Sequence, residues 1–174
     1  MKNKLRIAAN FHSKINTHLP TPPSLTEEAS KTALYNISEG IYFSNYQSAC
    51  DTALLQQYSI THVINCTAGF CVNKNVLGIS YFNIQLQDIS DYDLIGCLNV
   101  ILPLIEELRA QKANILIHCN EGRSRAPAVM AGYMVTKLNR PLHESLEHLR
   151  RLNDRVDINI GFLMQLESLT KMET

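Results

Sequence analysis

Apolar and polar positions change places in short runs from about residue 33 onward. Two strand signals come first, around Ala33–Ile37 and Gly40–Ser44. Residues 47–58 place Ala49, Ala53, Leu54 and Tyr58 at helical spacing, which predicts one helix. Ile60–Cys66 reads as an apolar strand, and Ser80–Leu86 as another. Residues 93–111 carry a long helical pattern with Pro103 inside it. Proline removes a donor and crowds the preceding turn, so a kink or two helices end to end are expected there. Asn114–His118 is a short strand whose middle, Ile115, Leu116 and Ile117, is apolar on both faces, as a central strand requires. Residues 124–138, 141–152 and 159–171 read as three helices, with Pro141 suited to a first helical position. Strands alternating with helices predict an α/β fold: a twisted, mostly parallel sheet of about five strands with helices on both faces. Ligands of such sheets bind beyond the carboxyl ends of the strands. The predicted central strand runs straight into Cys119.

The segment before this pattern is different. Residues 1–23 read as a flexible arm ending in Pro20-Thr21-Pro22-Pro23, and Ser24 with Glu27 forms a capping box where a short helix could start. Residues 24–174 then form one domain, which suits a chain of 174 residues. Sixteen basic and sixteen acidic residues leave no net charge. That argues against nucleic acid or an anionic membrane as main partners. Five cysteines, an odd count loosely spread, do not resemble a disulfide framework and suit a reducing compartment. No apolar run is long enough for a bilayer span, the first residues lack a signal-peptide core, and Lys2 stands where myristoylation needs glycine. A cytoplasmic protein is expected, with the nucleus, or a host cytosol for a secreted effector, left open. The oligomeric state is not readable from the chain.

The chemistry concentrates in His118-Cys119-Asn120-Glu121-Gly122-Arg123-Ser124-Arg125. This segment joins the predicted central strand to a helix through a tight, glycine-containing loop. Successive backbone N–H groups in such a loop can point inward as an anion-binding nest. The helix that follows adds the positive end of its dipole. Arg125, near the start of that helix, can reach back and grip two oxygens of a phosphate in a bidentate fork. A cysteine at the centre of this nest is favoured as the thiolate, the nucleophilic form. A cysteine six residues before an arginine is a weak signal in a chain with five cysteines. The context of strand, His-Cys, glycine and helix makes it specific.

The segment matches the His-Cys-x2-Gly-x2-Arg signature of the protein tyrosine phosphatases. In the form HCNEGRSRAP it resembles the dual-specificity branch, within it the vaccinia-H1-related enzymes. Ile60-Thr61-His62-Val63-Ile64-Asn65 resembles that branch's strand before the site. Tyr81 with Asp88 seven residues later resembles its general-acid segment, and the stretch from Asn159 to Leu166 its terminal helix. The resemblance spans roughly residues 33 to 170 and implies a single-domain phosphatase fold. It implies Cys119 as nucleophile, Arg125 with loop residues Asn120 to Ser124 as phosphate holder, and Asp88 as general acid. No cofactor and no metal are implied.

Asp91 and Asp93 compete with Asp88, and Asp93 best suits capping the helix at 93–111. By resemblance His118 hydrogen-bonds around the loop and favours the thiolate, and Asn65 braces the loop. Glu121 and Arg123 line the rim. Two departures stand out. Ala126 occupies the position after the arginine, where relatives carry Ser or Thr, and Ala-Pro there resembles the slow phosphatases of regenerating liver. Cys66 sits one residue from the position at which relatives keep a redox partner. Strand alternation should therefore turn it away from the site as a buried structural cysteine. His62, Cys66 and Cys71 fit no zinc spacing. The expected activity is hydrolysis of phosphotyrosine and phosphoserine or phosphothreonine in proteins through a thiophosphate, with phosphate or another oxyanion in the loop. The alternatives are a low-turnover phosphoprotein-binding module, or a phosphatase of RNA ends or inositol lipids, which zero net charge and Glu121 disfavour.

Overall fold

The computed structural model describes residues 33–67 and 76–171. The expected arm, the Ser24–Glu27 capping box and Cys71 lie outside the described residues. In chain order the elements are β1 (Tyr35–Ser38), β2 (Ile41–Ser44), α1 (Tyr46–Ala49), α2 (Thr52–Gln57), β3 (His62–Asn65) and β4 (Ser80–Asn83). Then come α3 (Leu94–Ala110), β5 (Ile115–His118), α4 (Arg125–Lys137), α5 (Leu142–Leu152) and α6 (Ile160–Lys171).

The strands make one sheet in the order β1-β2-β5-β3-β4, parallel except for β1 against β2. All four residues of β5 are buried, which is why its sequence is apolar without alternation. Ile115 and Ile117 face a large core shared with Phe43, Leu98, Ile105, Met130 and Phe162, contributed by β2, α3, α4 and α6. Leu116 faces the smaller core under α1 and α2, with Val63, Ala49 and Leu55. The sheet is therefore covered on both faces, as the pattern predicts.

Two local expectations fail, and at Pro103 one of two alternatives is excluded, for identifiable reasons. Residues 47–58 are two short helices, not one. Asn45 caps α1 by accepting from the Ser48 N–H (2.8 Å), and Asp51 caps α2 by accepting from the Leu54 N–H (3.1 Å). A side chain that competes for backbone donors restarts the helix where spacing alone reads through it. Leu55 is buried and Ala53 is exposed, so the predicted face is turned. The stretch 93–111 is a single helix with Pro103 inside. An interior proline costs about 3 kcal/mol. The same helix buries Leu94, Leu98, Ile101, Leu102, Ile105 and Leu108, each worth about 1.5–3 kcal/mol on full burial, so packing outweighs the break. β4 stops at Asn83 because its pairing with β3 ends at Asn65↔Asn83, with one further bond from the Ile84 N–H to the Asn65 carbonyl (2.8 Å). The chain then leaves the sheet edge toward Asp88.

Candidate active site

Cys119 is the first residue beyond β5 and is 2% exposed. Its loop is tied down on its outer side. The Cys119 N–H donates to the carbonyl of Ser44, the last residue of β2 (3.4 Å), and the N–H of Tyr46, the first residue of α1, donates to the Asn120 carbonyl (2.9 Å). Asn153 Nδ2 donates to the Gly122 carbonyl (3.1 Å), and the Asp157 N–H to the Arg123 carbonyl (2.9 Å). Gly122 has φ of 69°, and a Cβ on it would stand 3.1 Å from the Ser44 carbonyl carbon and the Asn45 nitrogen. Backbone angle and close approach both require glycine there. With the loop carbonyls turned outward, no backbone acceptor among the described residues takes the N–H groups of Glu121, Gly122, Arg123 or Ser124. Ser124 sits at the head of α4 without a side-chain capping bond to it. A loop with its donors left open in this way has the chemistry to hold an anion.

A pocket of about 200 Å³ opens over the loop, lined by Asp88, Cys119, Glu121, Arg123, Ser124, Arg125 and Asp157. The Arg125 side chain is 13% exposed, yet its Nε has no hydrogen-bond partner, and its Nη1 makes only a long contact with the Cys66 carbonyl (3.5 Å). Asp88 Oδ2 lies 3.7 Å from Arg125 Nε. Asp88 Oδ1 accepts from the Ser124 hydroxyl (2.6 Å) and from Asn159 Nδ2 (2.8 Å). The geometry thus separates the three aspartates. Asp88 lines the pocket, Asp91 does not, and Asp93 Oδ1 accepts from the Gly96 N–H (2.8 Å) as the cap of α3. Arg123, which also lines the pocket, pairs with Asp157 (3.2 Å) and Glu121 (3.7 Å).

Behind the pocket, His118 is fully buried and its Nδ1 lies 3.3 Å from the Cys119 carbonyl. A carbonyl only accepts, so Nδ1 carries the proton. Burial lowers the His118 pKa to about 4, with the Arg125 charge helping and the bond to the Cys119 carbonyl opposing. Burial thus favours the neutral imidazole at pH 7, which meets the Cys119 carbonyl by a hydrogen bond and not by its charge. Asn65 lies beside His118 in register; its Nδ2 donates to Asn83 Oδ1 (3.1 Å) and its Oδ1 accepts from the Thr67 N–H (3.0 Å). Cys66 is buried as expected, but it packs in the same core cluster as Cys119, contrary to the alternation argument. The pairing Asn65↔His118 is in register, so the residues following each are set on one side of the sheet. Burial, with the nearby Cys119 adding to it, pushes the Cys66 thiol up, against a smaller opposing pull from Arg125. It is a protonated thiol at neutral pH. Cys50, Cys66, Cys97 and Cys119 are all free.

Residues 41–172 match the family model of the dual specificity phosphatase catalytic domain. The chain belongs to that family. Among curated relatives it is 25% identical over 135 residues to Dual specificity protein phosphatase 1 of Arabidopsis thaliana, covering 78% of this chain and 68% of that protein. It is 24% identical over 132 residues to Dual specificity protein phosphatase 19 of Mus musculus, covering 76% and 60%. It is 25% identical over 130 residues to Protein-tyrosine-phosphatase MKP1 of Arabidopsis thaliana, covering 75% of this chain but 17% of that larger protein. The fold is that of crystal structures of DUSP15 (TM-score 0.75, 23% identity, 80% of this chain and 88% of that one) and human DUSP28 (0.75, 18%, 80% and 97%).

Within this dual-specificity phosphatase domain the loop also shows what residue patterns alone leave out. Asn159 holds Asp88, and its N–H reaches the Ser124 hydroxyl (3.3 Å). Its role has a sequence signal only in the terminal-helix motif that contains it. Asn153 and Asp157 hold the loop from the connection between α5 and α6 and carry no signal at all. Ala126 is fully buried in the first turn of α4. Among the described residues no group of three metal-ligating side chains is clustered, and no helix is long and apolar enough to cross a membrane.

Proposed function

We propose that this domain hydrolyses phosphotyrosine and phosphoserine or phosphothreonine in proteins through a thiophosphate on Cys119. The observation that carries the reading is the Arg125 guanidinium, nearly buried, short of hydrogen-bond partners, and in one pocket with Cys119 and Asp88. Buried donors left unmet are rare in folded proteins, and a bound oxyanion would complete these. In the first step the thiolate sulfur bonds to phosphorus as the bond to the substrate oxygen breaks, and Asp88 gives that oxygen its proton. In the second, the Asp88 carboxylate takes a proton from water, whose oxygen attacks phosphorus. The sulfur–phosphorus bond breaks and releases inorganic phosphate and the thiolate. Arg125 and the loop amides stabilise the charge in both transition states.

Zero net charge and the exposed Glu121 at the rim favour a phosphoprotein over RNA ends or inositol lipids. Ala126 and the bond from Ser124 to Asp88 favour a second reading, in which the same site binds phosphoproteins and turns over slowly. The single Ser124 hydroxyl proton is committed to Asp88, and alanine has none to offer the sulfur. The test is turnover of an aryl phosphate and of phosphopeptides by native protein, Cys119→Ser and Arg125→Lys. The serine variant should lose turnover and still bind inorganic phosphate. The lysine variant should be crippled, because a point charge cannot reproduce a planar fork. Native-like rates in either variant, or activity removed by a chelator and restored by zinc, would overturn the covalent mechanism.

A further inference from the structure

Six large hydrophobic side chains stand exposed among the described residues, and two of them are chain neighbours of pocket-lining Asp88 and of the Asn159 that bonds to it. Ile89 follows Asp88, Ile160 follows Asn159, and Met164 is one turn further along α6. Contacts on either side of the first pair set them together. Asn159 Nδ2 bonds to Asp88 Oδ1 (2.8 Å), and Gly161 lies so close against the Ser90 backbone that no Cβ would fit between them. Residues 88–90 and 159–161 therefore run side by side, which places Ile160 beside Ile89. Ile160 and Met164 are each 65% exposed and Ile89 is 48% exposed.

The segment that displays them is braced. Gln165 Oε1 accepts from the Leu94 N–H (2.8 Å), its Nε2 donates to the Tyr92 carbonyl (2.9 Å), and the Tyr92 hydroxyl donates to the Gln85 carbonyl (2.7 Å). Elsewhere the pocket lining is polar, with Arg123 bridging Glu121 and Asp157. Scattered exposed apolar residues need no explanation, but a cluster on a held surface at the mouth of a site does.

We infer that Ile89, Ile160 and Met164 form a docking shelf for one apolar side chain of the phosphoprotein substrate. The inference rests on the phosphatase reading above and names which substrates that site prefers. Continuity with the pocket selects this occupant. Asp88, which faces the leaving oxygen, is the chain neighbour of Ile89 and is held by the neighbour of Ile160, so a polypeptide leaving the pocket on this side crosses the shelf. An extended chain advances about 3.3–3.6 Å per residue, which places the apolar side chain within about two residues of the phosphorylated one. A methylene-sized contact in an enclosed pocket gives roughly 10- to 200-fold discrimination, and a shelf open on one side gives the low end, about tenfold.

The experiment compares kcat/KM for paired phosphopeptides that differ only in leucine or glutamine one or two residues before or after the phosphorylated one. Each pair is measured on native protein, on Ile160→Ser/Met164→Gln and on Ile89→Ser. The ratio within a pair does not depend on how much of a variant is folded. Native protein should prefer leucine about tenfold at one flanking position, and both variants should bring that ratio toward one. A native ratio near one at every position, or a ratio that survives in the variants, overturns the shelf. A native protein that sediments as a dimer and becomes monomeric in the double variant also overturns it, because the shelf is then covered by a second copy of the chain. Failure to hydrolyse any phosphopeptide overturns the phosphatase reading itself and is told apart by the absent rates.

Discussion

Replacing Asp88 with asparagine removes a proton and a negative charge and leaves the shape. In the native site Asp88 Oδ1 takes two donors, the Ser124 hydroxyl at 2.6 Å and Asn159 Nδ2 at 2.8 Å. An amide oxygen can accept both. The other oxygen lies 3.7 Å from Arg125 Nε, too far for a hydrogen bond, so an NH2 in its place forfeits none. The surroundings should therefore survive, and the measured loss is that of proton transfer. A positioned general acid contributes roughly 10²–10⁴-fold, or about 2.7–5.4 kcal/mol at 1.36 kcal/mol per tenfold. The loss should follow the need. A serine alkoxide leaves poorly without a proton and should show the full effect, whereas a nitrophenolate leaves unaided and should show little. The assay is kcat for Asp88→Asn and native protein across aryl phosphates of graded leaving-group acidity, with a phosphoserine peptide at the far end. The native rates should depend weakly on the leaving group and the variant rates steeply. Equal slopes for the two proteins, or a larger loss from Asp91→Asn, would refute the assignment. Asp93→Asn should act instead on stability, through the cap of α3.

Gly122→Ala must place a side chain at φ of 69° and 3.1 Å from backbone at the end of β2. The angle alone costs roughly 1–2 kcal/mol, so phosphate binding should weaken at least several-fold, and unchanged affinity by titration calorimetry would refute the close-approach argument. His118 is held neutral down to about pH 4, against about 6.5 in an unfolded chain. Between those values the unfolded state binds a proton that the folded state does not, so stability is complete above pH 6.5 and falls as pH drops toward 4. His118 contributes up to about 3 kcal/mol to that fall, and His62 and His148, also shifted down by burial, act in the same direction. Urea unfolding at pH 7.5 and 5 should show a smaller drop for His118→Asn than for native protein; an equal drop counts against the assignment. Ala126→Ser restores a hydroxyl after the arginine, and a hydrogen bond to a charged sulfur is worth roughly 1.5–3 kcal/mol. The native protein should give a burst of leaving group and then a slow steady state, and the variant a severalfold faster steady state with a smaller burst, in rapid-quench measurements; no burst and no change in rate would show that another donor serves the sulfur.

Much of the site was legible because its chemistry is local in sequence. A strand, a six-residue loop and the first turn of a helix hold Cys119, Gly122 and Arg125 at fixed separations, and the demands of a phosphate cradle fall on consecutive residues. The central strand was legible for a similar reason. Burial on both faces leaves an unbroken apolar run, and only the middle of a sheet provides that environment. The break at Asp51 was missed because a cap and a continuing helix differ in where one side-chain oxygen turns, which periodicity does not register. Whether one helix or two would span Pro103 was not legible, because six buried side chains outweigh a local penalty only once the sheet they cover is present.

What the chain determines alone is the order of strands and helices and the identity of the loop that ends the central strand. Tertiary structure decided how Asp88 is held at the pocket, since the packing of residues 159–161 against residues 88–90 brings Asn159 to Asp88. It also decided the side on which Cys66 stands, through a register with β5 set by hydrogen bonds between residues more than fifty apart in sequence. Contacts of that range carry no signature in local pattern, because the residues making them need only be compatible with each other once the core has drawn them together.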